Sequence, residues 1–138
     1  MNTKFGVTGI IFDQVGGKNY FLLLHRKLNW SGWEFVKGGI EDGEEPQEAV
    51  LREIGEESGL LNIELVRKVA GSIEWHAKDT KYVYTVFLLR ADKNEPVVLA
   101  KDIVEHDGYE WVEQGQVIGM LTHRDNKEMF KKALKLVQ

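Results

Sequence analysis

The segment Gly38–Leu60 concentrates negative charge between glycine-rich ends. It carries a single basic residue, Arg52, and eight acidic ones, which are Glu41, Asp42, Glu44, Glu45, Glu48, Glu53, Glu56 and Glu57. Like charges at such short spacing repel one another, so a folded chain normally spreads them. A bound cation would offset the repulsion, and the segment therefore predicts a metal site.

Three of these acids fall on one side of a predicted helix. At about 100° per residue, Glu53, Glu56 and Glu57 lie within roughly a 100° arc. Val50 and Ile54 lie on the neighbouring arc and are expected to face the core. Carboxylates that converge in this way bind hard divalent cations such as Mg²⁺ or Mn²⁺. The alternative is an acidic helix face that contacts only solvent.

The spacing of the whole segment favours the metal site. Written out, the segment follows the pattern GX5EX7REUXEEXGU, in which U is aliphatic, from Gly38 to Leu60. This pattern resembles the Nudix box, the signature of the Nudix hydrolases. The resemblance implies an α+β fold, an α/β/α sandwich around a mixed central β-sheet. It also implies Mg²⁺- or Mn²⁺-dependent hydrolysis of a nucleoside diphosphate linked to another group.

The resemblance assigns a role to each matching position of the box. Glu56 and Glu57 match the main metal ligands, and Glu53 matches a further ligand or the group that activates the attacking water. The backbone carbonyl of Gly38 often completes such a site. Arg52 is expected to orient the glutamates through charge-assisted hydrogen bonds.

Two stretches flanking the box bear on the substrate. The run "WEFVKGGIEDGE" is similar to the W-x-x-P-K-G-x-x-E-x-G-E run of asymmetrically cleaving diadenosine tetraphosphate (Ap4A) hydrolases, RNA pyrophosphohydrolases and decapping enzymes. In it, Lys37 matches a lysine that touches phosphate, and Val36 replaces the usual proline. The run "EHDGYEWV" resembles an E-H-x-x-Y-x-W run of animal-type Ap4A hydrolases. That resemblance makes Glu105 a candidate for an additional metal ligand or base, the alternative being a loop acid before a strand.

Nucleobase binding needs aromatic faces, because a base gains free energy by stacking on them. Trp75, Tyr82 and Tyr84 are the candidates, since they lie on predicted neighbouring strands and the two tyrosines share one face. The alternative for each is a place in the core. His76 and Lys81 are candidates for contacts with phosphate oxygens, and solvated turn residues are the alternative.

The elements that must position these residues follow from alternation, helical spacing and turn residues. The predicted strands are Lys4–Phe12, Tyr20–Arg26, Trp33–Val36, Ile63–His76, Lys81–Ala91 and Tyr109–Val112. The predicted helices run from Pro46 to Ser58, from Gln114 to Leu121 and from Asn126 to Val137. Gly59 is expected to close the first helix in a left-handed conformation.

The length and composition of the whole chain limit the possible domain organisation, metal sites and partners. Its 138 residues are enough for a single domain, 1–138, with a sizeable core. It has no cysteine, which excludes disulfides and thiolate metal sites. Its net charge of −4 disfavours nonspecific binding to nucleic acid. Because neither a signal peptide nor a membrane-spanning apolar run is recognised, we expect a cytoplasmic protein without a membrane partner.

The function that these resemblances favour is hydrolysis of a small nucleotide, Ap4A, to ATP and AMP. One alternative is an RNA 5′-pyrophosphohydrolase, which would add a nucleic-acid partner, and another is a nucleoside triphosphate pyrophosphohydrolase. A different class is a Nudix-fold sensor that binds a nucleotide without hydrolysing it. Such sensors often lose box glutamates, whereas this chain keeps them all. Whether the protein is a monomer or a homodimer stays open.

Overall fold

In the computed structural model, which describes residues 2–137, a mixed sheet is covered by helices on both faces. Its strands are β1 (Asn2–Val15), β2 (Lys18–Arg26), β3 (Gly32–Glu34), β4 (Val36–Gly39), β5 (Glu64–Ala77), β6 (Thr80–Arg90) and β7 (His106–Glu113). The helices are α1 (Pro46–Ser58), α2 (Gln114–Met120) and α3 (Arg124–Leu134). The predicted α/β/α sandwich with a mixed central sheet is confirmed.

Strand β1 lies at the centre of the sheet. Along one side it pairs in parallel with β6, and β5 continues the sheet beyond β6. Along its other side β1 pairs antiparallel with two strands in turn, first β4 and then β2. Strands β3 and β7 both pair with β2. Among residues 2–137, β4 pairs only with β1, so the other edge of β4 is open.

The structure corrects the strand predicted over Trp33–Val36. The chain divides there at Phe35 into β3, which pairs with β2, and β4, which pairs with β1. The division arises because β2 and β4 occupy the same side of β1 at different heights, so the chain must pass from one partner to the other. Phe35 is buried at this crossing and fills the core.

Two hydrophobic cores separate the sheet from its helices. Val50 and Ile54 of α1 pack on one face, and Phe130 and Ala133 of α3 pack on the other. Successive residues of β1 alternate between the faces, so Val7 belongs to the α1 side and Ile10 to the α3 side. The candidate site lies at the open edge of β4, where the two faces of the sheet meet.

The predicted helix bounds agree closely with the structure. Helix α1 begins at Pro46 and ends at Ser58, and Gly59 follows with φ of 74° in the expected left-handed conformation. Helix α3 starts before the predicted Asn126 and stops before the predicted Val137, while α2 ends one residue before Leu121. No helix within residues 2–137 combines the length and apolar character needed to cross a membrane.

Candidate active site

Helix α1 brings Glu53 directly against strand β4. Gly38 pairs with Val7 of β1 and therefore faces α1. The Glu53 side chain is buried there, with 8% of the residue exposed. A Cβ atom added to Gly38 would overlap the Glu53 carboxyl group. The glycine that opens the sequence pattern is thus required by the close approach of this carboxylate to the strand.

Arg52 ties the acidic helix to the loop before it and to β4. Its Nε donates a hydrogen bond to Glu44 at 2.8 Å, and its Nη1 donates to Glu53 at 2.9 Å and to Glu56 at 3.2 Å. Its Nη2 also donates to the backbone carbonyl of Gly39 at 2.8 Å. One guanidinium therefore fixes the orientation of several carboxylates. These are the contacts that an orienting residue needs, and the orienting role itself stays a prediction.

The charges of the acidic cluster are not balanced within the protein. Burial, together with the nearby charges of Glu56 and Glu57, raises the pKa of Glu53 to about 7 against the lowering effect of Arg52. Burial and the charge of Glu57 also raise the pKa of Glu105. A carboxylate is harder to ionise where negative charge is in excess. The oxygen-rich donor set of these four glutamates fits a hard divalent cation.

The four glutamates line a common cleft. This cleft has a volume of about 810 Å³ and lies between α1, strand β4 and the loop that precedes β7. Glu53, Glu56 and Glu57 enter it from α1, whereas Glu105 enters from the facing loop. The structure thus brings Glu105 to the box glutamates, as expected from the run "EHDGYEWV". Its role as ligand or base stays a prediction.

Glu57 belongs to a hydrogen-bonded network of charged side chains, most of which are buried. His106 is 4% exposed, and its Nδ1 lies 3.2 Å from Glu57 while its Nε2 lies 2.7 Å from Glu34. Glu34 is also buried, and it accepts a hydrogen bond from Arg26 at 3.1 Å. Lys37 Nζ lies 3.5 Å from the other oxygen of Glu34. Glu57 is therefore held through His106 by a carboxylate on β3.

The surroundings of His106 favour its protonated form, in which it is not a metal ligand. One ligand atom each from Glu57, Glu105 and His106 lies within 4.8 Å of the others, which is close enough to share a metal. Burial lowers the pKa of His106, but the hydrogen bonds to Glu34 and Glu57 outweigh it and raise the pKa to about 9. With both ring nitrogens protonated and donating to carboxylates, the imidazole has no lone pair to give to a metal.

This pairing predicts a pH-dependent stability of the metal-free protein. Because the folded-state pKa of His106 is raised to about 9, the folded protein holds this proton more tightly than the unfolded chain. The contribution is fully present below the ordinary pKa of about 6.5 and is lost as the pH rises through 9. In EDTA, the urea midpoint of the unmodified protein should therefore fall as the pH rises through 9. His106→Gln should remove this fall, whereas His76→Gln, at an exposed position, should keep it. Equal pH profiles for both variants would contradict the pairing.

The backbone of β4 corrects one predicted ligand. The amide of Ile40 donates to the carbonyl of Phe5 on β1 at 3.0 Å. Since backbone groups alternate direction along a strand, the carbonyl of Gly38 also points toward β1 and not into the cleft. The carbonyls of Lys37 and Gly39 point to the open edge instead, where Arg52 contacts that of Gly39. The Gly38 carbonyl is therefore not placed to bind a metal, and Lys37 offers the available one.

The three candidate aromatic residues form one group on the α3 face of the sheet. Trp75 and Tyr82 stack with ring centroids 5.0 Å apart and an interplanar angle of 9°, and Tyr84 lies 4.8 Å from Trp75. Lys37 Nζ sits 5.4 Å from the centroid of the Trp75 ring. Part of each aromatic side chain stays accessible, because none of the three is fully buried. Their substrate-binding role stays a prediction.

His76 and Lys81 do not join this group. They pair with each other across β5 and β6, one position away from the pair of Trp75 and Tyr82. Alternation therefore places their side chains on the opposite face of the hairpin. Lys81 instead lies 3.3 Å from Glu74 in an ion pair. The predicted phosphate contacts of His76 and Lys81 stay a prediction.

Several residues near the cleft had no role in the sequence analysis. Glu34 and His106 stand inside the two quoted runs, but a single sequence does not reveal that they are buried and paired. Arg26 ends β2 and completes the same network. Trp30 and His123 stack edge to face at 4.4 Å beside the aromatic group. The sequence signal available for Glu34 was a charged residue between two aromatic residues, Trp33 and Phe35.

The fold and the acidic cleft together are those of a hydrolase that acts on phosphoric anhydride bonds. The family model described as the NUDIX domain matches residues 3–134. The chain therefore belongs to the Nudix family, which confirms the resemblance of Gly38–Leu60 to the Nudix box. Nudix hydrolases act on nucleotide substrates and generally use divalent metals.

Known proteins similar to this chain carry different names. An RNA pyrophosphohydrolase from Pseudomonas paraeruginosa is 33% identical over 144 residues, which cover 92% of this chain and 87% of that protein. Nudix hydrolase 25 from Arabidopsis thaliana is 31% identical over 62% of this chain, but the match spans only 59% of that protein. The crystal structure of a C. elegans Ap4A hydrolase binary complex superposes with a TM-score of 0.80 at 20% identity, covering 96% of each chain. This last likeness shows the fold alone.

Proposed function

We propose that the protein hydrolyses Ap4A asymmetrically to ATP and AMP with Mg²⁺ or Mn²⁺ bound. The observation that supports this most is the position of the acidic cleft beside an aromatic group, with Lys37 lining the cleft and lying over the Trp75 ring. A polyphosphate in the cleft would thus have a cationic neighbour and a stacking surface for its base. The superposition with a C. elegans Ap4A hydrolase is compatible with this substrate.

In this proposal the residues of the cleft bind the metal, orient its ligands, contact the phosphate chain or accept a proton. Glu53, Glu56, Glu57 and Glu105 hold the metal, which neutralises phosphate oxygens and lowers the pKa of water. Arg52 and His106 keep the carboxylates in place, because they donate hydrogen bonds to them. Lys37 contacts the phosphate chain. Glu53 or Glu105 accepts the proton of the attacking water, the first from α1 and the second from the facing loop.

The second candidate is hydrolysis of 5′-triphosphorylated RNA. It is favoured by the Pseudomonas paraeruginosa relative, which is named an RNA pyrophosphohydrolase and aligns over 92% of this chain. Both substrates present a polyphosphate next to a base, so the cleft and Lys37 would serve either. A nucleoside triphosphate would use the same groups. The sensor alternative is disfavoured by the family's enzymes and by the complete set of box glutamates.

A comparison of substrates tests the proposal. The purified protein is incubated with Mg²⁺ and, separately, Ap4A, GTP, ADP-ribose or triphosphorylated RNA, and the products are separated by anion-exchange chromatography. Equal amounts of ATP and AMP from Ap4A, formed faster than any other product, are expected. Faster release of pyrophosphate from RNA or GTP would move the specificity to that candidate. No turnover of any of them, matching a Glu57→Gln preparation, would contradict the proposed hydrolase.

A further inference from the structure

Two separate aromatic cavities open on the α3 face beside strand β4. The first, which we call the tryptophan pocket, has a volume of about 380 Å³ and is lined by Trp30, Lys37, Trp75, His123 and Asn126 among others. The second, the tyrosine pocket, has a volume of about 450 Å³ and is lined by Lys4, Phe5, Gly39, Tyr82 and Tyr84 among others. Both volumes lie in the range of about 300–1,000 Å³ that is typical of small-molecule sites.

Each pocket shares a lining residue of strand β4 with the acidic cleft. Lys37 lines the cleft and the tryptophan pocket, and Gly39 lines the cleft and the tyrosine pocket. The two residues are two positions apart on one strand, so they share a face and lie about 7 Å from each other. A polyphosphate that enters the cleft over this open edge therefore has an aromatic pocket within reach in two directions.

The stacked pair of Trp75 and Tyr82 separates the two pockets. Its rings are nearly parallel, with an interplanar angle of 9°, and Trp75 lines only the first pocket while Tyr82 lines only the second. Each pocket also has a second aromatic wall of its own. Trp30, in contact with His123, supplies it on one side, and Tyr84 supplies it on the other.

The chemistry of each pocket suits a nucleoside next to phosphate. Aromatic rings bind any nucleobase by stacking on its face. Lys37 and Arg124 in the tryptophan pocket and Lys4 in the tyrosine pocket are cations that can neutralise a neighbouring phosphate. Asp125 also lines the first pocket, and Glu41 and Asp42 line the second, where a carboxylate can accept a hydrogen bond from the amino group of a base. Asn126 in the tryptophan pocket adds an amide that can donate to and accept from a base edge. A mononucleotide would fill one of these pockets and leave the other without a ligand.

We propose that the two pockets hold the two nucleosides of a single dinucleoside polyphosphate, with the phosphate chain crossing β4 at Lys37 and Gly39 into the cleft. This inference rests on the proposed function, because it assigns both ends of that substrate class. The two pockets would favour a nucleotide with a nucleoside at each end over a nucleoside triphosphate or the 5′ end of RNA. The second nucleoside makes a dinucleoside substrate bind better than a mononucleoside with the same number of phosphates.

Equilibrium binding of Ap4A and of adenosine tetraphosphate, which has the same phosphates but one nucleoside, tests the inference. Tryptophan fluorescence reports binding in Ca²⁺, which replaces Mg²⁺ to suppress turnover. We expect the full chain to bind Ap4A about tenfold more tightly than adenosine tetraphosphate. Trp30→Ala and Tyr84→Ala should each remove that advantage, whereas Trp30→Phe should keep most of it. Leu61→Ala, at a position 81% exposed and outside both pockets, is the matched control.

The outcomes separate this inference from the proposed function. Equal affinity of the unmodified protein for both ligands would overturn the two-pocket inference, even if Ap4A is hydrolysed. The inference would also be overturned if both alanine variants still bound Ap4A more tightly than adenosine tetraphosphate. The variants compared must have the melting temperature of the unmodified chain. Conversely, a tenfold advantage that both substitutions abolish, without any turnover of Ap4A in Mg²⁺, would support the two pockets and reject the proposed hydrolysis.

Discussion

Glu57→Gln should lower kcat/KM for the preferred nucleotide by at least about 10³-fold, which corresponds to about 4 kcal/mol of transition-state stabilisation. Glu57 enters the cleft from α1 and faces Glu105, so its carboxylate is placed to hold the metal. The amide removes the negative charge but keeps the shape of the side chain. Its oxygen can still accept the hydrogen bond from His106, so the fold should be retained.

The control for this substitution is Glu128→Gln on α3. It removes the same charge at an exposed position that pairs only with Lys131, at 3.4 Å. It should leave the turnover and the Mg²⁺-induced rise of the melting temperature unchanged. Glu57→Gln should lose that rise, because Mg²⁺ stabilises the folded protein only as far as it binds there. Turnover of Glu57→Gln within tenfold of the unmodified protein would show that the metal-site assignment is wrong.

Gly38→Ala should inactivate the protein without unfolding it. The added Cβ would overlap the end of the Glu53 side chain, which is flexible and can rotate away from β4. The free energy of unfolding should therefore change by less than about 1 kcal/mol, since no backbone needs to move. The displaced Glu53 would leave the hydrogen bond to Arg52 and the metal site. We expect the metal affinity and kcat/KM to fall by about 10²-fold, as when a group that orients a ligand is lost.

Gly39→Ala is the matched control for this prediction. It adds the same methyl group to the next residue of β4, where no atom lies within 4 Å of the added Cβ. Calorimetric titration with Mn²⁺ should therefore give a normal affinity for Gly39→Ala and a reduced one for Gly38→Ala. Similar affinities for the two variants would mean that the contact between Glu53 and Gly38 does not shape the site. A large loss of stability in Gly38→Ala would mean that Glu53 cannot move aside.

The local features of the site could be predicted because they depend on short spacing. Helical periodicity places Glu53, Glu56 and Glu57 on neighbouring positions of α1 whatever the rest of the chain does. Pro46 and Gly59 mark the ends of that helix, and both occupy the expected positions in the structure. The glycine pattern likewise reflects one local need, the absence of a side chain opposite an approaching carboxylate.

Residues that meet across the sheet were less predictable. His106 and Glu34 are 72 positions apart, and their contact depends on how β3 and β7 both pair with β2. The failure of the Gly38 carbonyl as a ligand has a similar origin, because its direction depends on the register between β1 and β4. The position of His76 and Lys81 on the face opposite the aromatic group was likewise not predicted, because one step along a strand reverses the face of the side chain.

The sequence by itself determined the family, the acidic helix and a reaction on phosphoric anhydride bonds. Only the tertiary structure decided which groups surround that chemistry: His106 behind Glu57, Glu105 opposite it, and an aromatic pocket on either side of the Trp75 and Tyr82 stack. The physical reason is the range of the interactions. Helix geometry repeats within a few residues, whereas contacts between strands depend on a register that only the packing of both cores selects.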